Sequence, residues 1–229
     1  MKVLFIIPAR GGSKRIPNKN IKMFLGKEII SYPISAALCS KYCSRLIVST
    51  DSEKIRSVAI KYGAEVPFLR SENNSNDFAT TYDVINEVCS KLIDIDDYDY
   101  ICCIYPTSVF VTDEVLNKAF SIIESKKCGG VVSVLEYSHP IQRALRIESS
   151  GYIAPINAEF YNTRSQDLEK MYHDAGQFYI FRLNDAQKEK KLIVKNSIPL
   201  IIHPARAQDI DNLDDWVLAE IKYKYICYE

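Results

Sequence analysis

Residues 3–20 read VLFIIPARGGSKRIPNKN, and this stretch decides the fold. Residues 3–7 are apolar and rich in β-branched side chains, which is typical of a strand buried on both faces of a parallel sheet. A loop rich in glycine and cationic residues follows at once and contains Gly11 and Gly12. In open α/β sheets, ligands bind beyond the carboxyl ends of the strands. The stretch therefore predicts an α/β fold whose first loop faces a ligand.

The rest of the chain alternates strand patterns with helical patterns. Strands are predicted at 46–48, 65–68, 100–105, 131–134, 177–181 and 198–202, and helices at 29–38, 52–62, 79–92, 112–126 and 213–225. This alternation is typical of a mainly parallel sheet with helices on both faces. Residues 137–171 interrupt it, and we interpret them as an inserted β-rich arm that caps the site or contacts a second copy. Because neither a linker nor a repeat is visible, residues 1–229 are expected to form one domain.

Composition excludes several classes of protein. The 29 Lys and Arg balance the 29 Asp and Glu, so the chain lacks the overall basic surplus of many nucleic-acid-binding proteins. No apolar run approaches the roughly 20 residues that a membrane span needs, and the apolar start is too short for a signal peptide. The seven cysteines include no Cys-x-x-Cys pair, which fits free thiols in a reducing compartment. We expect a cytoplasmic protein with no nucleic-acid or membrane partner.

The charges are unevenly distributed along the chain. Residues 1–30 contain seven Lys and Arg against one acidic residue, a local surplus of six positive charges. In the first loop, Gly11 and Gly12 would let the backbone approach a ligand, while Arg10, Lys14 and Lys19 would neutralise phosphates. The loop matches neither the Walker A pattern nor Gly-x-Gly-x-x-Gly. A solvated basic turn is the alternative, but the position after a first buried strand favours a polyphosphate site.

The segment from Pro8 to Asn20 resembles the signature of the cytidylyltransferases that activate nonulosonic acids, the sialic-acid type of sugar. The resemblance implies a Rossmann-like nucleotidyltransferase fold in which this loop wraps the phosphates of CTP. Residues 77–81, Asp-Phe-Ala-Thr-Thr, are similar to the family segment beside the nucleotide base. By position, the resemblance implies CTP contacts from Arg10, Gly11, Ser13, Lys14, Lys19, Asn20, Thr80 and Thr81.

Other segments resemble the pseudaminic acid branch of that family, namely 138–144, 163–168 and 172–179. Residues 105–108 are similar to a segment that usually reads Gln-Pro-Thr-Ser in the sialic acid enzymes, and Tyr105 stands where those enzymes have a sugar-contacting Gln. The resemblance therefore favours pseudaminic acid as the acceptor, with sialic or legionaminic acid as the alternative. It implies sugar contacts from Tyr105, Gln142, Arg143, Arg164, His173 and Gln177.

The segment Asp209-Ile210-Asp211 places two carboxylates at i and i+2. In an extended segment these side chains share one face, and two carboxylates together with phosphate oxygens suit Mg²⁺. The alternative is that Asp211 or Asn212 caps the final helix. The family resemblance favours the metal, because the position matches the family's metal-binding Asp pair.

The resemblance implies transfer of CMP from CTP to the anomeric hydroxyl of a nonulosonic acid, with pyrophosphate as the second product. Arg10, Lys19, Asp209 and Asp211 are the expected catalytic residues, which neutralise charge and hold Mg²⁺. The family's usual dimer and the 137–171 segment imply a homodimer. Three alternatives are a sugar-1-phosphate nucleotidyltransferase, a non-catalytic nucleotide-binding regulator and a nucleic-acid-binding protein.

Overall fold

The computed structural model describes residues 1–227 and is built around a six-stranded sheet. In chain order the strands are β1 Val3–Pro8, β2 Met23–Phe24, β3 Lys27–Glu28, β4 Cys43–Ser49, β5 Tyr100–Ile104, β6 Gly130–Glu136, β7 Leu145–Ile147, β8 Ile153–Pro155, β9 Tyr172–Arg182 and β10 Ser197–Ile201. The helices are α1 Ser31–Cys39, α2 Glu53–Lys61, α3 Thr81–Lys91, α4 Asp113–Lys126, α5 Leu183–Glu189 and α6 Leu213–Cys227. Within the described residues, no helix has the length and apolar content needed to cross a membrane.

The strand order across the main sheet is β10-β6-β9-β5-β1-β4. β1 runs parallel to both of its neighbours, and β10 runs parallel to β6. β9 lies between β5 and β6 and is antiparallel to both. The prediction of a mainly parallel sheet is therefore confirmed. As a result, the carboxyl ends of β1, β4, β5, β6 and β10 meet the amino end of β9 at one edge.

Residues 3–7 of β1 are fully buried because their apolar side chains alternate between two faces that helices cover. Phe5 packs against Phe120 of α4, with ring centroids 5.8 Å apart. Leu4 lies in the cluster on the opposite face with Ile85 and Val88 of α3. Each side chain of this size contributes roughly 1.5–3 kcal/mol when fully buried. Helices on both faces were the expected consequence of this pattern, and the structure confirms them.

Polar side chains fix where three helices begin. Ser52 caps α2 and Thr112 caps α4, each accepting a backbone N–H from three residues further on. Thr80 and Asp83 form a reciprocal capping box at α3. Caps of this kind contribute about 1 kcal/mol each. The helices therefore begin close to the positions that the sequence predicts.

Some local predictions are wrong. The strand predicted at 65–68 is absent: Glu65 makes one isolated bridge with Ile47, and Pro67 has no N–H with which to continue a ladder. β9 begins at Tyr172, well before the predicted start at 177. The hairpin of β2 with β3, and helix α5, have no counterpart in the predicted elements.

Residues 137–171, hereafter the arm, lie outside the main sheet between β6 and β9. Within the arm, β7 and β8 pair as a separate antiparallel sheet. Its apolar side chains include Ile147, which is 78% exposed, and Tyr152, which is 75% exposed. Glu136 pairs with Tyr172 across β6 and β9, so the arm leaves and re-enters the sheet at adjacent positions.

Candidate active site

An open cavity of about 670 Å³, hereafter the first cavity, lies at the carboxyl edge of the sheet. Its walls come from the loop after β1, the segment before α3, the turn after β5 and the segment before α6. Its polar lining residues are Arg10, Ser13, Lys14, Arg15, Lys19, Asn20, Arg70, Asn74, Asn76, Asp77, Thr81, Tyr105, Thr107, Asp209 and Asp211. The sheet therefore brings predicted site residues from both ends of the chain to one place.

The backbone of the first loop is fixed at Gly11. Its N–H donates to Asp51 Oδ1 at 2.7 Å, and a Cβ at this position would lie 3.0 Å from Ser52 Cβ. A larger residue would push the loop away from the end of β4, whereas Gly12 faces open space. The Gly11 N–H therefore has a protein partner in this structure, and its contact with a ligand stays a prediction.

Two predicted phosphate-binding cations share one carboxylate in this structure. Arg10 Nη1 lies 2.7 Å and Lys14 Nζ 2.5 Å from the Asp77 carboxylate. The hydrogen bonds from Lys14 and Arg10 hold the pKa of that carboxyl below its usual value. The two cations are thereby held together at the cavity, where an anion with several charges could replace Asp77 as their partner.

The other cations of the loop lie beside Asp211. Arg15 contacts this carboxylate at 2.8 Å, and Lys19 Nζ lies 3.7 Å from it. Lys19 also donates to the Ile210 carbonyl at 2.6 Å, which joins the first loop to the segment before α6. Arg15 lines the first cavity but is not among the predicted site residues, because the spacing of the loop's cations does not show which of them face the cavity.

Asn20 offers the cavity an acceptor without a partner. The side chain is 4% exposed, and its Nδ2 donates to the Arg10 carbonyl at 2.9 Å. Its Oδ1 has no hydrogen-bond partner among residues 1–227. Buried polar atoms are normally paired, so a donor from a ligand or water would satisfy this oxygen.

The two threonines predicted beside the base have different surroundings. Thr81 Oγ1 lies 3.1 Å from the Tyr105 hydroxyl, and both residues line the first cavity. Thr80 does not line it, because its hydroxyl donates to Asp83 at 2.6 Å within the capping box of α3. Thr81 is therefore the threonine that can meet a ligand.

Arg70 is a cavity residue that the sequence patterns do not reveal. It is 7% exposed, and it donates to the hydroxyl of Ser49 at 3.1 Å and to the Ser49 carbonyl. Burial lowers the pKa of its guanidinium, while the charges of Asp51 and Glu87 oppose that shift. In the sequence, residues 70–77 look like an ordinary polar loop. The one sign that Arg70 belongs to the site is its position directly after the apolar residues at 66–69.

A second cavity of about 610 Å³ adjoins the first, and Tyr105 and Asp209 line both. Its other polar lining residues are Glu136, Ser138, His173, Asp174, Tyr179, Gln208 and Lys222. The Tyr179 hydroxyl donates to Asp174 Oδ2 at 2.5 Å, which fixes one wall. Two cavities that share a wall can hold two reactants side by side.

The Asp209 and Asp211 carboxylates face the first cavity instead of capping α6. Asn212 Oδ1 accepts the Asp215 N–H at 3.0 Å, and Asp215 Oδ2 accepts the N–H groups of residues 211 and 212. Burial, followed by the charge of Asp211, raises the pKa of the Asp209 carboxyl. A cation would relieve this repulsion. No group of three or more His, Cys, Asp or Glu within residues 1–227 could hold a metal, so such a cation would need oxygens from substrate and water.

The predicted sugar contacts do not all reach a cavity. Tyr105 and His173 line the second cavity. Gln142, Arg143 and Arg164 line neither cavity, because they lie in the arm and each forms a hydrogen bond with another residue there. Within its own chain, the arm contributes Ser138 to the second cavity but none of its three predicted sugar contacts.

Gln177 is the remaining predicted sugar contact, and it also lines neither of the two cavities. It is 2% exposed, and its Nε2 donates to the Arg206 carbonyl at 2.7 Å. Its own carbonyl accepts the Tyr105 N–H and the Ser108 hydroxyl, both at 2.9 Å. Gln177 therefore supports the turn after β5, and a contact of its side chain with the sugar stays a prediction.

Comparison with known proteins agrees with this arrangement. The family model described as Cytidylyltransferase matches residues 4–201. Pseudaminic acid cytidylyltransferase of Campylobacter jejuni subsp. jejuni is 40% identical over 98% of this chain and 97% of its own. CMP-N,N'-diacetyllegionaminic acid synthase of Legionella pneumophila is 36% identical over 96% of this chain and 95% of its own.

A solved structure of CMP:2-keto-3-deoxy-manno-octonic acid synthetase with CTP matches the full length of both chains, with a TM-score of 0.70 at 14% identity. A likeness at this level of identity concerns the fold, and it confirms the Rossmann-like nucleotidyltransferase architecture predicted above. The match of the family model over most of the chain, and the near full-length relatives, identify the family. The chain belongs to the cytidylyltransferase family.

Proposed function

We propose that the protein transfers CMP from CTP to the anomeric hydroxyl of pseudaminic acid and releases pyrophosphate. The observation that carries this proposal is the pair of adjoining cavities that share Tyr105 and Asp209. CTP occupies the first cavity and the acceptor occupies the second, so the hydroxyl approaches the α-phosphorus across the shared wall. The relative of highest identity reported above acts, by its name, on the same acceptor.

The first-loop cations supply most of the catalysis in this proposal. Arg10, Lys14 and Lys19 exchange their carboxylate and carbonyl partners for the triphosphate and neutralise the charge that develops on the leaving pyrophosphate. Asn20 accepts a hydrogen bond from the nucleotide through its unpaired oxygen. Positioning of the two substrates contributes the remainder, and no separate protein base is assigned.

Asp209 and Asp211 fit a magnesium site, because both carboxylates line the first cavity and their mutual repulsion favours a cation. Mg²⁺ bound there would polarise phosphate oxygens and lower the pKa of the attacking hydroxyl. Arg15 and Lys19 lie beside Asp211 and hold its carboxylate at the cavity before substrate binds.

The proposal also includes a homodimer, with residues 1–229 as one catalytic domain and the arm as an insertion. Exposed apolar side chains of the arm, such as Ile147 and Tyr152, would be covered by the second copy. The arm's Arg143 and Arg164 would then meet the acceptor carboxylate at the second cavity of the other copy, since they do not reach their own.

A different acceptor is the second candidate. The relative from Legionella pneumophila, named for a legionaminic acid product, is nearly as similar as the pseudaminic acid enzyme. Both acceptors are nonulosonic acids, so the first cavity and its chemistry would be the same. Only the second cavity and the arm would distinguish them.

The test is a pyrophosphate-release assay with CTP, Mg²⁺ and a panel of pseudaminic, legionaminic and N-acetylneuraminic acids. We expect the highest kcat/KM with pseudaminic acid, and no turnover when UTP or dTTP replaces CTP. Faster turnover of legionaminic acid would transfer the proposal to that acceptor. Folded protein that releases no pyrophosphate with any of the three acids would contradict the function.

A further inference from the structure

A buried carboxylate with no role in the proposed chemistry lies behind the wall of the first cavity. Glu87, on α3, is 8% exposed. Its Oε1 accepts the Ser71 N–H at 2.9 Å and Lys91 Nζ at 2.5 Å. Its Oε2 accepts the Ser71 hydroxyl at 2.8 Å and Asn74 Nδ2 at 2.6 Å. One side chain therefore collects donors from the loop and from its own helix.

This carboxylate is held in its charged form. Burial acts to raise the pKa of Glu87, but the hydrogen bonds from Lys91, Asn74 and Ser71 outweigh it and bring the pKa to about 2. Of these partners, Lys91 is half-exposed, whereas Ser71 and Asn74 belong to the loop. Burial therefore strengthens mainly the hydrogen bonds that join Glu87 of α3 to Ser71 and Asn74 of the loop.

The loop that Glu87 holds is a wall of the first cavity. Arg70 and Asn74 flank Ser71 on either side, and both line the cavity. Apart from one short 3-10 turn at Glu72–Asn74, the loop has no regular secondary structure to fix it. The negative charge of Glu87 also favours the charged form of the buried Arg70 guanidinium.

We infer that Glu87 is a positioning residue for the nucleotide, which it serves by fixing the Arg70–Asn74 wall before CTP binds. The inference rests on the proposed function, because it requires CTP in the first cavity. Glu87→Gln keeps the size of the side chain but replaces one acceptor oxygen with an NH₂ group that would face N–H and O–H donors. The wall is then less ordered before CTP binds. Ordering it on binding costs free energy, and this weakens the binding of CTP.

The test measures CTP binding by calorimetry without acceptor, followed by KM for each substrate. For Glu87→Gln we expect the Kd of CTP to rise about tenfold, with KM for the acid within about twofold of wild type. Hydrogen exchange at residues 71–76 should be faster than in wild type before CTP is added. Ser71→Ala removes one of the four donors and should raise the Kd of CTP about threefold.

Two controls separate positioning from general stability. Asp83→Asn weakens the start of the same helix without touching Ser71 or Asn74, so it should lower the melting temperature and leave the Kd of CTP unchanged. Lys91→Met removes the half-exposed cation and leaves the three loop bonds of Glu87 in place, so the Kd should change by less than about twofold.

The outcomes distinguish the inference from the proposed function. A folded Glu87→Gln variant with wild-type Kd for CTP contradicts the inference, even if its melting temperature falls. If that variant does not fold, an unchanged Kd in Ser71→Ala contradicts it equally. Wild-type protein that does not bind CTP contradicts the proposed function itself, and the inference with it.

Discussion

The first cavity and the arm are built in opposite ways. Residues of the first cavity follow buried strands such as β1 and β5, and a sheet covered on both faces carries them to one edge. The arm has a two-stranded sheet of its own, and its apolar side chains face outward, with Ile153 67% exposed. The contrast indicates that elements of the main sheet form the first cavity, whereas the exposed apolar side chains of the arm fit the homodimer proposed above.

The largest expected effect on activity comes from a change in the carboxylate pair of Asp209 and Asp211. Asp211→Asn is expected to lower kcat about 10²–10³-fold, because one preorganised electrostatic group of the nucleotide side is lost. The readout is pyrophosphate release at saturating CTP and acid. Asp214→Asn, which changes a carboxylate in the first turn of α6 outside both cavities, is the matched control and should keep the wild-type rate. A near wild-type rate for Asp211→Asn would remove the metal assignment.

The next effect tests the arm directly. Arg143→Ala should raise KM for the acid about tenfold and leave KM for CTP unchanged, because an arginine–carboxylate contact is lost. Arg146→Ala removes a cation of the same arm that lies 3.7 Å from Glu148, and it should change neither KM. If Arg143→Ala behaves like Arg146→Ala, the arm does not contact the acceptor and the contrast between the two regions needs another explanation.

A smaller effect separates Thr81, which lines the first cavity, from its neighbour Thr80, which does not. Thr81→Ala should raise KM for CTP about fivefold through loss of one hydrogen bond. Thr80→Ala should instead lower the free energy of unfolding by about 1 kcal/mol, since it removes a helix cap, with KM for CTP unchanged. Steady-state kinetics and urea unfolding of both variants measure the two quantities. If Thr80→Ala raised KM for CTP and Thr81→Ala did not, Thr80 would be the threonine that contacts the nucleotide.

The smallest effect concerns stability at low pH and leaves activity at neutral pH unchanged. The hydrogen bond from Tyr62, aided by the backbone and by Lys61, lowers the pKa of Glu28 from 4.5 to about 2. A carboxyl whose folded pKa lies below its unfolded pKa stabilises the fold above the unfolded value and loses that contribution as the pH falls. Urea unfolding should show a decline in stability from about pH 5 to pH 2 that is shallower in Glu28→Gln. If stability fell equally steeply with pH in wild type and in Glu28→Gln, the contacts of Glu28 in β3 with Lys61 and Tyr62 would not stabilise the fold.

Sequence patterns predict the framework well because burial imposes periodicity. The apolar run of β1 and the capping residues Ser52 and Thr112 report the local environment of each element. Glu87 and Arg70 are different, since their burial arises only when the loop before α3 packs on the sheet edge. A polar loop and a charged helix residue look the same in the sequence whether or not they later meet.

The sequence predicts which segments contribute to the site better than it predicts where their side chains point. Asp209 and Asp211 could be placed at a site from their spacing and the family resemblance, and both line the first cavity. Gln177 could not be excluded in the same way, because a strand residue points into or away from a cavity according to register. Its bond to the Arg206 carbonyl is a tertiary contact with no local signal.

The pairing of Glu136 with Tyr172 has a consequence for how such enzymes diversify. Because the arm begins and ends at neighbouring points, its length and sequence can change at little cost in chain-closure entropy and without shifting the register of the six strands. If the arm contacts the acceptor as proposed, acceptor choice can change by exchange of this segment while the six-stranded sheet and the first cavity stay the same. A graft of residues 137–171 from a relative with another acceptor is the natural starting point for engineering new sugar nucleotides.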